Sequence, residues 1–227
     1  PGIAAADGSR GWSIGESIAT SASARIKVED EANSAVYDES DFDFEVKGAL
    51  FLTAPDPDNP NIELFVGDAY SITWSKSGNV GNVDLFYSTD NGTTYPNPIN
   101  TNTVAAADGA YAWPGGVPDK ILGRVLKIKI VQSNNASVFD ASNQPFEISG
   151  KLSLGTPNGG VDWAVGAAGD IKWTPTGTWN EVRLQYSTDG GTSWTPISTE
   201  PAGTSGVEKT FNAWAPPVNS ITSQFKI

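Results

Sequence analysis

The 227-residue sequence contains no cysteine, no histidine and no methionine. Without cysteine there is no disulfide, no iron–sulfur site, no zinc finger and no thiol nucleophile. Without histidine there is no Ser-His-Asp triad, and acid–base chemistry near neutral pH would need a strongly tuned Glu or Lys. Basic residues are scarce: 14 Lys and Arg stand against 26 Asp and Glu, a net charge of −12. Such a chain repels a polyanionic duplex, so nucleic acid is excluded as a partner, and anionic membrane surfaces are disfavoured for the same reason. Long apolar runs are missing too. The run at 48–54 is far short of the ~20 residues a membrane helix needs, so no membrane insertion is expected in this segment. The first residues, PGIAAADGSRGW, show no signal peptide, and any export signal or anchor is expected outside this stretch.

What is present is core-forming material and turn chemistry. Hydrophobic residues make up 38%, with eight Trp, nine Phe and six Tyr, enough for real cores despite 24 Gly and 15 Pro. Gly and Pro at this level, among many Thr, Ser and Asn, fit a protein of many strands and tight turns. A Cys-free composition of this kind fits an exported prokaryotic surface protein better than a small eukaryotic secreted module, which would often carry disulfides.

The sequence also repeats itself. YSTDNGTTY at 87–95 returns as YSTDGGTSW at 186–194, and YSITW at 70–74 as GDIKW at 169–173. YAWPGGVP at 111–118 aligns with NAWAPPV at 212–218. FDASNQPFEISGKLSLGTP at 139–157 aligns with YDESDFDFEVKGALFLTAP at 37–55, and LKIKI at 126–130 with ARIKV at 24–28 and FKI at 225–227. Several blocks agree in order and spacing, at a period near one hundred residues. The chain is out of phase with that period: residues 1–48 are the C-terminal part of one unit, 49–150 a complete unit, and 151–227 a unit lacking its last strand or strands.

Inside the complete unit the hydrophobic period is two. Ile72 and Trp74 alternate with Ser71 and Thr73, and Leu126, Ile128 and Ile130 with Lys127 and Lys129. That is the pattern of half-buried strands. Strands are expected near 49–54, 69–75, 82–88, 93–99, 109–114, 124–132 and 137–149, the last broken by a bulge. The fold class is therefore all-β: tandem immunoglobulin-like or fibronectin-III-like β-sandwiches. Trp74 and Trp173 are expected at the centre of each sandwich, and Trp113 and Trp214 at one end. Burying each ring contributes roughly 2–3 kcal/mol. In the two Asp-Gly loops, Asp accepts from backbone amides two residues on, and Asn-Gly or Gly-Gly supplies the positive φ of a tight hairpin. These loops are read as chain reversals. Their S-x-D-x-G pattern resembles the Asp-box of sialidase propellers, but a propeller would repeat it at a much shorter interval.

The order I-x-W, V-x-L-x-YSTDGG, Y-x-W-x-x-P, I-K-I and D-x-S-x-x-F-x-I resembles tandem immunoglobulin-like repeats of large prokaryotic cell-surface proteins. These are similar to the Kre9/Knh1-type Ser-Thr-rich anchored domain known in fungi. The resemblance covers residues 12–227. It implies stalks, spacers, adhesin arms or surface-layer building blocks, and no catalytic residues.

Other candidate sites are few. The acidic run at 28–45 contains Asp30, Asp38, Asp41 and Asp43, which could hold Ca²⁺ with backbone carbonyls; the alternative is a solvated strand face that resists aggregation. No other cofactor is expected. Asn91 and Asn135 begin N-x-[ST] sequons in expected turns and are candidate glycosylation sites. The repeats join through Lys47-Gly48 and Ser149-Gly150 alone, a connection too short to bend like a Gly/Ser linker. No catalysis is expected. The sequence reads as a structural repeat segment of an extracellular filament, sheath or surface layer. Its partners would be copies of itself or neighbouring repeats, and head-to-tail assembly could use residues 24–46 of one molecule to complete 151–227 of the next. Two alternatives stand: an adhesin or stalk module that binds glycans or a protein through loops such as 114–121 and 200–206, or an accessory repeat of a larger surface enzyme.

Overall fold

The computed structural model describes residues 8–15, 18, 20–55, 58–59, 61–114, 116–119, 123–160, 162–164, 166–217 and 226. Among them the regular elements are strands and one 3-10 turn, Ala106–Asp108. In chain order the strands are β1 (Ser21–Ala24), β2 (Lys27–Glu29), β3 (Tyr37–Glu39), β4 (Phe44–Val46), β5 (Ala49–Ala54), β6 (Glu63–Phe65), β7 (Ser71–Ser77), β8 (Asn82–Ser88), β9 (Asn97–Pro98) and β10 (Val104–Ala105). They continue with β11 (Ala110–Ala112), β12 (Gly123–Gln132), β13 (Asn135–Ala141), β14 (Phe146–Ser149), β15 (Lys151–Thr156), β16 (Gly169–Thr176), β17 (Glu181–Tyr186), β18 (Thr195–Pro201) and β19 (Lys209–Trp214). The protein is all-β, as its two-residue periodicity requires.

Two compact units form. The first comprises Pro1–Pro60, Ser71–Ala112 and Lys127–Pro145; the second comprises Asn61–Tyr70, Trp113–Leu126 and Phe146–Ile227. In the first unit, β7 pairs antiparallel with β5 and β11, while β8 pairs with β9, β10 and the Lys127–Gln132 part of β12, which in turn pairs with β13. Alternation puts Leu50, Leu52, Ile72, Trp74, Val83, Leu85, Ile128, Ile130 and Val138 on buried faces. The sandwich is tied at its edge where Asp140 of β13 accepts from the Leu52 amide of β5 at 2.7 Å. Residues 21–46 contribute two small pairs, β1 with β4 and β2 with β3.

In the second unit β16 pairs with β15 and β19, and β17 with β18. Its core consists of Ile171, Trp173, Val182, Leu184 and Ala202, with Leu154, Ile197 and Phe211 among those packed against it. Lys226 bridges Ser187 by two backbone hydrogen bonds of 2.7 and 2.9 Å. The same unit holds parallel β6–β14 pairing around buried Leu64, Val66, Phe146 and Ile148.

The repeat is visible in the register. Leu52 lies opposite Trp74 as Leu154 lies opposite Trp173, and each pairing shifts immediately afterwards. Ser88 lies opposite Lys127 as Ser187 lies opposite Lys226.

Some elements depart from the periodicity. The strand expected over 137–149 divides into β13 and β14 at Ser142–Pro145, where Pro145 has no N–H to donate. The strand expected at 93–99 shrinks to Asn97–Pro98, flanked by prolines for the same reason. β6 and β10 went unanticipated because two or three residues are too few to show alternation.

Candidate functional site

The two repeated loops are built by the same hydrogen bonds. Ser88 and Ser187 are buried at the mouths of their hairpins. Each hydroxyl donates to an aspartate, Ser88 to Asp90 at 2.6 Å and Ser187 to Asp189 at 2.7 Å, and accepts from two amides. Those amides are Asp90 and Gly92 in one loop, Asp189 and Gly191 in the other, at 3.2 and 2.8 Å in each. The aspartates accept from amides further along than the sequence led us to expect: Thr94 at 2.9 Å, and Thr192 and Ser193 at 3.0 and 2.9 Å. These lie three and four residues on, because the intervening pair turns through positive φ (Asn91 60°, Gly92 83°; Gly190 76°, Gly191 94°).

This geometry fixes the protonation state. The Ser88 hydroxyl, then Thr94, hold the Asp90 carboxyl down at about 2. The Ser193 hydroxyl and amide, with Ser187, lower Asp189 in the same manner. A carboxylate with both oxygens engaged inside its own loop is a structural clasp and a poor proton donor. The aromatics close over the glycines: a Cβ on Gly92 would lie 2.9 Å from the Tyr95 hydroxyl, and one on Gly191 would lie 3.4 Å from the Trp194 ring.

The tryptophans divide by role. Trp74 and Trp173 are 4% and 3% exposed, and their indole N–H groups donate to Ala106 and Ala202 carbonyls, each at 2.9 Å. Trp113 is also buried, with its amide donating to the Tyr70 carbonyl at 2.8 Å. Trp214 is half-buried in an aromatic group with Trp163 and Tyr186, ring centroids 5.8 and 5.5 Å away.

The acidic run is dispersed. Asp30 accepts from the Ala32 amide in the loop between β2 and β3, Asp38 sits on β3 opposite Val28, and Asp43 pairs with Arg25. Asp41 lies between β3 and β4 and is exposed. Among the described residues no three Asp or Glu side chains converge as metal ligands would. Of the sequons, Asn91 is exposed in its turn. Asn135 instead opens β13 and is engaged on both sides, accepting from Ser137 and donating to Glu45 at 3.3 Å. The loops at 114–121 and 55–61 lie partly outside the described residues, as does most of 225–227.

The strongest concave feature is a groove of about 300 Å³ in the second unit, lined by Leu152, Leu154, Trp173, Val182, Arg183, Leu184, Gln185 and Trp194. Its floor is the inner face of the second sandwich. Leu152 is 56% exposed and Trp194 45%, whereas the matching Leu50 in the first unit is 4% exposed. Leu152, Arg183 and Trp194 as groove walls were not legible as single residues; the signal lay in aligning them with their covered counterparts.

No protein-family model and no curated protein matches the sequence. Among solved structures, the fibronectin(III)-like modules of Clostridium thermocellum CbhA are similar over 73% of this chain and 79% of theirs, at 16% identity and a TM-score of 0.27. Titin domains A168–A170 are similar over 84% of this chain and 64% of theirs, at 12% identity and the same TM-score. Neither likeness carries weight at that score, and the sandwich is established by strand pairing and core burial. Among the described residues no helix is long and apolar enough to cross a membrane.

Proposed function

We propose that this chain is a structural, non-catalytic repeat segment of an extracellular filament, sheath or surface layer. The observation that supports it most directly is where the two copies agree. The shared residues are the Ser-Asp clasp, the central tryptophan with its alanine carbonyl, and the register around them. The copying therefore preserves scaffold. It repeats no charged or nucleophilic constellation facing solvent. One residue, Gly150, separates β14 from β15, so successive sandwich sequences follow without a spacer.

Exposure to protease and antibody on intact cells, followed by electron microscopy of the surface, tests this reading. The expected result is surface accessibility and a regular array whose contacts bury more than roughly 1,000 Å². Confinement to the cell interior would refute it. The exposed aromatics Trp12 and Phe42, 54% and 84% accessible, support an adhesin arm as a second reading. A glycan-array signal abolished by Trp12→Ala would favour that alternative.

A further inference from the structure

Residues 21–46 are a preformed copy of the segment that covers the first sandwich. β2 and β3 pair as Lys27↔Glu39, Val28↔Asp38 and Glu29↔Tyr37. The homologous residues of β12 and β13 pair in the same register: Lys129↔Ala141, Ile130↔Asp140 and Val131↔Phe139. In the first sandwich Ile128, Ile130 and Val138 are 0%, 0% and 4% exposed. Their counterparts Ile26, Val28 and Val36 are 47%, 70% and 58% exposed. One apolar hairpin face is thus unpartnered in the first unit, while a groove of the matching shape stands open in the second.

Resting on the structural-repeat reading, we propose that the β2–β3 hairpin of one molecule docks into the groove over Leu152, Leu154, Val182 and Leu184 of a second copy. The register follows from the first sandwich, where Ile130 lies opposite Leu85 and Val131 opposite Asp84. Transferred by the repeat, Val28 lies opposite Leu184 and Glu29 opposite Arg183. The charges are complementary there: an acid on the hairpin meets the groove's arginine. Asp38 takes the place of Asp140 and accepts from the Leu154 amide, as Asp140 accepts from Leu52. This is strand addition to an open edge, with apolar side chains on one face filling the pocket. Hairpin and groove are different surfaces, so the contact is heterologous and propagates head to tail.

The cysteine-free sequence gives a direct test. Glu29→Cys and Arg183→Cys, both at exposed positions, are mixed as separate full-length chains under mild oxidation. Paired strand residues lie within disulfide reach. A mixed disulfide is expected, well in excess of that formed between Glu29→Cys and Thr204→Cys; equal yields would overturn the docking. In sedimentation velocity the unmodified chain is expected to form a concentration-dependent series of oligomers. Val28→Asp, on an already exposed position, should weaken association at least ~10-fold, equivalent to about 1.4 kcal/mol, without altering the unfolding transition. Arg183→Glu should weaken it and Glu29→Arg should restore it. A chain that stays monomeric, or associates indifferently to Val28→Asp, refutes the proposal. Surface arrays that persist in Val28→Asp would remove this docking and leave the structural reading standing; a chain confined inside the cell would remove that reading alone.

Discussion

Trp74 and Trp173, ninety-nine residues apart, make the same contact: each indole N–H donates to an alanine carbonyl, Ala106 or Ala202, at 2.9 Å. Both rings are almost fully buried, so the indole fills the sandwich and satisfies a buried carbonyl that no ladder reaches.

Replacing either tryptophan with Phe keeps most of the ring and removes the donor. Leaving the Ala106 or Ala202 carbonyl unpaired is expected to cost about 1–3 kcal/mol. Trp→Ala should cost about 3–5 kcal/mol through the cavity. Urea unfolding followed by the fluorescence of the remaining tryptophans measures both, and a Trp74→Phe variant as stable as the parent would show that the bond is dispensable.

Ser88 and Ser187 organise their loops from buried positions. Ser88→Ala strands the Asp90 and Gly92 amides together and is expected to destabilise by about 1–3 kcal/mol, with Ser187→Ala matching it through Asp189 and Gly191. Calorimetry on the two single variants provides the check. A marked inequality between them would mean that the loops are alike in form and unlike in consequence.

The clasps also set an acid limit. Asp90 has an ordinary value of 3.8 and a folded value of about 2, and Asp189 is lowered as well. The folded state therefore binds fewer protons than the unfolded state in this range. Their contribution is fully present above the unfolded pKa and is lost as pH falls through the folded one. Stability should hold down to about pH 4 and decline from there toward pH 2. Asp90→Asn should flatten that decline. A titration in which parent and Asp90→Asn lose stability in parallel would remove Asp90 as a cause.

Glycines separate steric need from conformational need. A Cβ on Gly150 would collide with the Trp179 ring and lie 2.9 Å from the Thr176 carbonyl, just as one on Gly48 would meet Val80 and the Ser77 carbonyl. Gly190, by contrast, has φ 76° and open space around it. Gly190→Ala should cost about 1–2 kcal/mol for the left-handed backbone. Gly150→Ala should cost more, because backbone must move. Thermal unfolding that ranks them in the opposite order would contradict this assignment.

Much of this was readable in advance because strands and tight turns are local. Alternation over Ser71–Ser77 and Asn82–Ser88 places every second side chain on one face. The Asp-Asn-Gly and Asp-Gly-Gly stretches can only turn. The short β6 and β10 were not readable, since nothing in two or three residues distinguishes a strand from a loop. The hydrogen-bond reach of Asp90 and Asp189 was misjudged by a residue or two, because positive φ at two successive positions carries the chain past the nearer amides.

By itself the sequence determined the period, the all-β class and the turn positions, since each follows from side-chain alternation and backbone sterics within a few residues. Only the tertiary structure decided which apolar faces were covered. Ile130 and Val28 belong to the same pattern, yet one is 0% exposed and the other 70%. Burial depends on what lies opposite, in residues far away along the chain, and no local pattern contains that information.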